Sequence, residues 1–207
     1  MKEIGLYFGS FNPIHNGHLM VANYAVEHFN LDELHFIVSP QNPFKEQKDL
    51  LDINERIALC NAAIEGNAKF IINDIETKLP IPSYTTDTLN ALVKEMEDCN
   101  FHIIMGFDNL ISLHKWKNVE NVLKCHLIVF PRVKTSSDGE LTIQFENALK
   151  TLKNSFSDVN ITFVENGIIN NLSSTFVRNE IQNNKSVKYY IPDSVIELIQ
   201  KNNFYKK

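Results

Sequence analysis

The side chains best placed to do chemistry lie in residues 4–18, which read IGLYFGSFNPIHNGH. His15 and His18 stand three residues apart, with Gly17 between them. Imidazole changes protonation near neutral pH without special help, so two of them on one helical turn can serve an anion as donors. The apolar run 4–8 reads as a strand. After the histidines, Leu19, Val21, Ala22, Ala25, Val26 and Phe29 recur at helical spacing. Strand, glycine-bearing loop and helix start therefore follow one another. The first amides of a helix lack partners inside it and carry the positive end of its dipole. Phosphate oxygens fit there when no side chain blocks them. Gly9 and Gly17 leave the approach open, and Asn12-Pro13 supplies a rigid turn. The same H-x-x-H spacing could hold a metal, but such sites take further ligands, and no Cys, Asp or Glu lies close by in the sequence. Two ordinary surface histidines are the plainest alternative.

Further candidates occur along the chain. Lys45 ends a proline-bearing stretch, Ser39-Pro40-Gln41-Asn42-Pro43-Phe44-Lys45, and could reach a phosphate or simply sit exposed. Residues 81–89 read IPSYTTDTL, in which Ser83, Thr85 and Asp87 are suited to capping a helix. Gly106 and Asp108 follow an apolar run, where a bare backbone and an acceptor for ribose hydroxyls are useful. Trp116 is the only tryptophan and suits either a core or a flat electron-poor ring. Arg132 follows another apolar run and could grip a phosphate bidentately. Residues 172–178 read LSSTFVR: hydroxyls at a helix start, then Arg178 one turn later, form a second phosphate-binding pattern or a plain capped helix.

The elements that must position these groups alternate. Strands are expected over 4–8, 35–38, 70–72, 101–105, 126–130 and 161–164, and helices over 19–29, 53–64, 86–96, 119–124 and 143–152. Asp52 with Glu55 starts the second helix as a capping box. Residues 136–139 read as an exposed turn. Alternation of this kind implies an α/β fold with a parallel sheet covered on both faces. Ligands then bind at the carboxyl ends of the strands, which is where the candidates fall.

The run GSFNPIHNGH resembles the HxGH signature of the nucleotidylyltransferase superfamily, and LSSTFVR resembles its I-S-S-T-x-I-R motif. Within that superfamily, SYTTDTL resembles the S-Y-T-x-D-T-L stretch of the nicotinate mononucleotide adenylyltransferases. Tyr189-Tyr190-Ile191-Pro192 is similar to their closing Y-x-P segment. The resemblance implies a Rossmann-like fold over 1–207, with a core over 1–170 and a C-terminal helical segment over 171–207. It implies transfer of AMP from ATP to nicotinate mononucleotide, with pyrophosphate leaving. His15 and His18 are then catalytic, and Gly9, Ser10, Phe11, Lys45, Gly106, Asp108, Ser174, Thr175 and Arg178 join them in binding ATP. Tyr84, Thr85, Trp116 and Arg132 bind the nicotinate mononucleotide. Mg²⁺ is implied as an ion bound with ATP, not held by a motif of the protein's own. The chain departs from the family in having Phe44 where a histidine often precedes the basic residue, and in its surroundings of Arg132. Two rivals remain: another adenylyltransferase such as the phosphopantetheine enzyme, and a non-catalytic module that kept the nucleotide-binding fold.

Composition sets outer bounds. The chain has 207 residues, 43% hydrophobic, with net charge −5, so it can bury a sizeable core and has no electrostatic footprint for nucleic acid or membrane surface. No leader and no apolar run of membrane length is read at the sequence level. Cys60, Cys99 and Cys125 are widely spaced and are expected as buried free thiols in a cytoplasmic protein. Homo-oligomerisation is left open.

Overall fold

Apolar runs that alternate with amphipathic stretches can bury all their faces only if the strands lie side by side beneath helices. That is the arrangement in the computed structural model, which describes residues 1–40, 50–131, 138–156, 159–164 and 171–206, without the side chains of 138–142. In chain order the elements are β1 (Lys2–Gly9), α1 (Asn16–His28), β2 (Glu33–Val38), α2 (Ile53–Ile64), β3 (Phe70–Asn73), α3 (Thr85–Glu95), β4 (Cys99–Gly106), α4 (Phe107–Ser112), α5 (Val119–Val122), β5 (His126–Phe130), α6 (Asp138–Ser155), β6 (Ile161–Phe163), α7 (Ser174–Gln182) and α8 (Asp193–Asn202). Short 3₁₀ turns cover Ile75–Lys78 and Leu113–Lys115.

The strands form one sheet in the order β3-β2-β1-β4-β5-β6, and every neighbouring pair is parallel. The order reverses between β1 and β4, so the crevice of this Rossmann-like sheet opens above those two carboxyl ends. The loop with the two histidines leaves β1, and Gly106 and Asp108 leave β4. On one face Leu34, Phe36, Ile104 and Ile128 pack with α1, α2, α7 and α8. On the other Ile4, Leu6, Ile103 and Leu127 pack with the helices between β3 and β6. Alternate residues of each buried strand thus serve opposite layers. Gly5 is required by the closeness of the first layer, because a Cβ there would lie 2.8 Å from Leu31 and 2.9 Å from Ile104.

Several expectations need correction. The helix expected over 143–152 is the longer α6, whose first residues Asp138 and Gly139 replace part of the expected exposed turn. The helix expected over 119–124 is the single turn of α5. The α4 helix and both 3₁₀ turns were not read, since three to six residues carry no measurable period. Cys60 is fully buried, but Cys99 and Cys125 are only half-buried, since they lie at strand amino ends where helix cover runs out. Among the described residues no helix is long and apolar enough to cross a membrane.

Candidate functional site

The loop from Ser10 to His15 is anchored from several elements around the crevice. Phe11 has left-handed backbone, with φ 45°, and its ring is buried edge-on to His18, at 5.0 Å between centroids. Such a backbone costs a non-glycine residue roughly 1–2 kcal/mol, so surrounding contacts must hold it. The ring lies so near Gly9 that a Cβ there would stand 2.8 Å from it. Phe11 can therefore meet a ligand only through its backbone.

His15 and His18 start α1. His15 is the N-cap, and its Nδ1 accepts from the His18 amide at 3.3 Å. His18 Nδ1 in turn accepts from the His15 amide at 3.2 Å. This is a capping box made of two imidazoles, which stack with centroids 3.6 Å apart. Because both Nδ1 atoms accept, each neutral ring carries its proton on Nε2. The start of α1 is less open to anions than the sequence implies. The Asn16 amide donates to the Tyr190 carbonyl, and those of His18 and Leu19 donate to the His15 carbonyl. In the first turn of α1, the Gly17 amide alone makes no hydrogen bond to another described residue.

Distant segments close on the same loop. Ser174 Oγ donates to the Pro13 carbonyl at 2.8 Å. Arg178 donates from Nη1 to the Asn12 carbonyl at 2.9 Å and from Nη2 to Thr175 Oγ1 at 3.4 Å. The cap of α7 is Ser173, whose hydroxyl accepts from the Phe176 amide. Asn16 Nδ2 donates to the Tyr189 carbonyl at 2.7 Å. The Ser-Ser-Thr motif and the histidine loop are thus in direct contact, about 160 residues apart in sequence.

Sequence reading passed over the residue that binds this loop to its neighbour. Arg56 is 1% exposed. It donates to the carbonyls of Ser10 and Ser39 at 2.7 Å, Leu51 at 2.9 Å and Pro40 at 3.0 Å. It thereby ties the end of β1 to the end of β2. Burial lowers its pKa from the ordinary guanidinium value, and the four carbonyls replace lost water. A signal existed: Arg56 stands at helical spacing between Ile53 and Cys60, on the apolar side of α2.

The second group of candidates gathers around α3 and α5. Lys117 Nζ sits 4.5 Å from the Tyr84 ring centroid and 3.3 Å from Asp87 Oδ2. It joins the start of α3 to the segment holding Trp116, a half-buried residue packed on the second core layer. The expected capping by Ser83, Thr85 or Asp87 is absent, for Tyr84 is the N-cap and no side chain caps α3. Ser83 and Thr88 instead donate to the buried carboxylate of Glu76, at 2.9 and 2.8 Å. These hydroxyls hold the turn that presents Tyr84 and Thr85. Gly106 is the N-cap of α4, and Asp108 is exposed on its first turn. Lys45 and Arg132 lie outside the described residues.

Residues 6–180 match the family model described as cytidylyltransferase-like. The chain is 42% identical over 206 residues to a Flavobacterium psychrophilum protein named probable nicotinate-nucleotide adenylyltransferase, covering 99% of this chain and 100% of that one. A Clostridium acetobutylicum protein of the same name is 34% identical, with the same coverage. The fold is similar to that of Plasmodium falciparum nicotinic acid mononucleotide adenylyltransferase. Its complex with NaAD gives a TM-score of 0.76 at 20% identity, over 99% of this chain and 98% of that one. Its complex with APC gives 0.75 at 21%, with the same coverage.

Proposed function

From the premise that the chain belongs to the cytidylyltransferase-like family, and within it to the nicotinate-nucleotide adenylyltransferases, we propose how its residues share the work. The reaction transfers AMP from ATP to nicotinate mononucleotide, giving deamido-NAD and pyrophosphate. A phosphate oxygen of the acceptor attacks the α-phosphorus of ATP. The bond from that phosphorus to the bridging oxygen breaks, and its electrons leave with pyrophosphate.

Positioning and charge stabilisation are the main contributions of a protein to such a transfer. The paired caps at the start of α1 are the observation that supports the roles of His15 and His18. With both Nδ1 atoms accepting backbone N–H groups, Nε2–H is the donor each ring can turn to phosphate oxygens as charge builds up; that of His15 is buried, so a phosphate must reach it inside the loop. The Gly17 amide adds a third donor. Thr175 and Arg178 bind the triphosphate with Lys45, while Ser174 braces the Pro13 carbonyl and presents its oxygen beside it. Ser10 and the backbone of Gly9 and Phe11 line the α-phosphate, and Gly106 and Asp108 take the ribose and base. Tyr84 and Thr85 meet the pyridine ring and its carboxylate, Trp116 stacks on the ring, and Arg132 takes the mononucleotide's phosphate. In this division residues 1–170 supply the two nucleotide pockets and Lys45, and 171–207 the Thr175 and Arg178 side of the triphosphate clamp.

A divalent ion belongs to this chemistry, and Mg²⁺ enters with ATP. The nitrogen and hydroxyl donors of the loop suit phosphate oxygens rather than a bare cation, which fits an ion held by phosphates and water. When bound, it neutralises charge on the leaving pyrophosphate. A cytoplasmic location agrees with three free cysteines.

Pyrophosphate release with Mg²⁺ and ATP tests the reading, comparing nicotinate mononucleotide, nicotinamide mononucleotide and phosphopantetheine. The first is expected to be clearly preferred. Preference for the amide would overturn the carboxylate pocket at Thr85, and preference for phosphopantetheine would overturn the acceptor assignment altogether.

A further inference from the structure

Tyr205 follows α8, and its buried hydroxyl donates to Asn12 Oδ1 at 2.8 Å across 193 residues of sequence. The same oxygen accepts from the Leu51 amide at 3.3 Å. Asn12 is 5% exposed, so its side chain is gripped from the α8 side and from the start of α2 at once. The backbone of this turn is held as well: its two carbonyls take Arg178 and Ser174, and His15 stands just beyond. Burial drives the Tyr205 phenol far above its ordinary range, against the nearby positive charges of Arg178 and Arg56. The group is therefore a neutral donor, as its bond to an amide oxygen requires.

We infer that Tyr205 is a positioning residue for adenylyl transfer: its hydroxyl fixes the Asn12 side chain, and through the Asn12–Pro13 turn it sets where His15 and His18 stand. The inference rests on those histidines serving the phosphates. A displacement of about 1 Å in such groups can cost about a hundredfold in rate, so a hydroxyl remote from the reacting atoms can still be felt in turnover.

Tyr205→Phe tests this, since it keeps the ring and removes one oxygen. With assays run well below the melting midpoint, kcat for pyrophosphate release is expected to fall about tenfold. KM for nicotinate mononucleotide should stay within about twofold, because its pocket lies on other loops. The midpoint should drop by about 2–4 °C, as for one buried hydrogen bond in a chain of this size. An unchanged kcat beside a lowered midpoint would make the hydroxyl a stability contact only and overturn the inference. A double-mutant cycle supplies the second arm. Combined with His18→Ala, the Tyr205→Phe loss should be clearly smaller than in the wild-type background, since part of what it positions has gone. Full multiplication of the two losses would overturn the inference. Normal turnover in His18→Ala alone would instead refute the histidine assignment, whatever Tyr205→Phe does.

Discussion

Two pairs of adjacent histidines sit in this molecule, and their surroundings differ completely. His15 and His18 lie past the carboxyl end of β1, and each gives its Nδ1 to a backbone amide. His102 and His126 lie on the sheet itself, on the face beneath α1, with Nδ1 atoms 3.1 Å apart. There the polar groups bond to one another across strands. Glu3 Oε2 is 2.6 Å from His102 Nε2, and Thr162 Oγ1 is 2.9 Å from His126 Nε2. The row spans β1, β4, β5 and β6 and shapes no loop. Side chains at the carboxyl end act on backbone carbonyls and amides, as the Nδ1 atoms of His15 and His18 do. Those of the row spend their nitrogens on each other. Residue type therefore says less about function than what the first nitrogen of each ring is bonded to.

The largest expected effect tests the first pair. His18→Ala should lower turnover by about a hundredfold to a thousandfold while circular dichroism stays native, as for loss of one charge-stabilising donor. His102→Ala, by contrast, should stay within about threefold of wild-type turnover, and a loss matching that of His18→Ala would erase the distinction. Next in size is Arg56→Met, which strands four carbonyls under the loop. It should cost about 3 kcal/mol or more, lowering the melting midpoint by about 6–12 °C.

Two glycines sharpen the contrast at equal crowding. A Cβ at Gly5 or at Gly9 would meet its nearest neighbour at 2.8 Å, so each Ala variant should cost about 1–3 kcal/mol in a thermal melt. Only Gly9→Ala should also lose turnover, because the atom it displaces belongs to Phe11 beside His18.

The smallest effect is a pH dependence in the second pair. Burial, and then the charge of His102, hold the His126 pKa below its ordinary 6.5. The unfolded chain therefore binds more protons there as the pH falls below 6.5, and acid favours unfolding. The melting midpoint should decline below pH 6.5 in the wild type and decline less in His126→Gln, with turnover at pH 7.5 within about twofold. Equal slopes would remove His126 as the cause. The Glu3 carboxyl acts in a separate window. Its bonds to Asn100 and then to His102 hold its pKa below 4.5, so its contribution is lost only as the pH falls from 4.5.

Local pattern carried the architecture well. The alternation of runs predicted six strands in sequence order, and the rule about carboxyl ends led to the loops after β1 and β4 on either side of the switch point. Motif resemblance added the link between residues 9–18 and 172–178, which the Ser174 and Arg178 contacts realise in space. What escaped was what holds the motifs in place. Arg56, Glu76 and Lys117 each act on segments 7 to 46 residues away, and no periodicity encodes such partners. Ser83 looked like a cap because hydroxyls before a helix usually are; a buried carboxylate outcompeted the backbone for it. The half-burial of Cys99 and Cys125 depends on where helix cover ends, which is a tertiary fact.

The contact between Tyr205 and Asn12 has a consequence for the order in which the molecule assembles. Closing a loop of 193 residues costs more chain entropy than closing a short one, so the contact is expected to form after local helices and neighbouring strands. Helical signal is then expected to return on refolding before full turnover does. Full catalytic activity in this chain would then report that the segment after α8 has met the loop after β1.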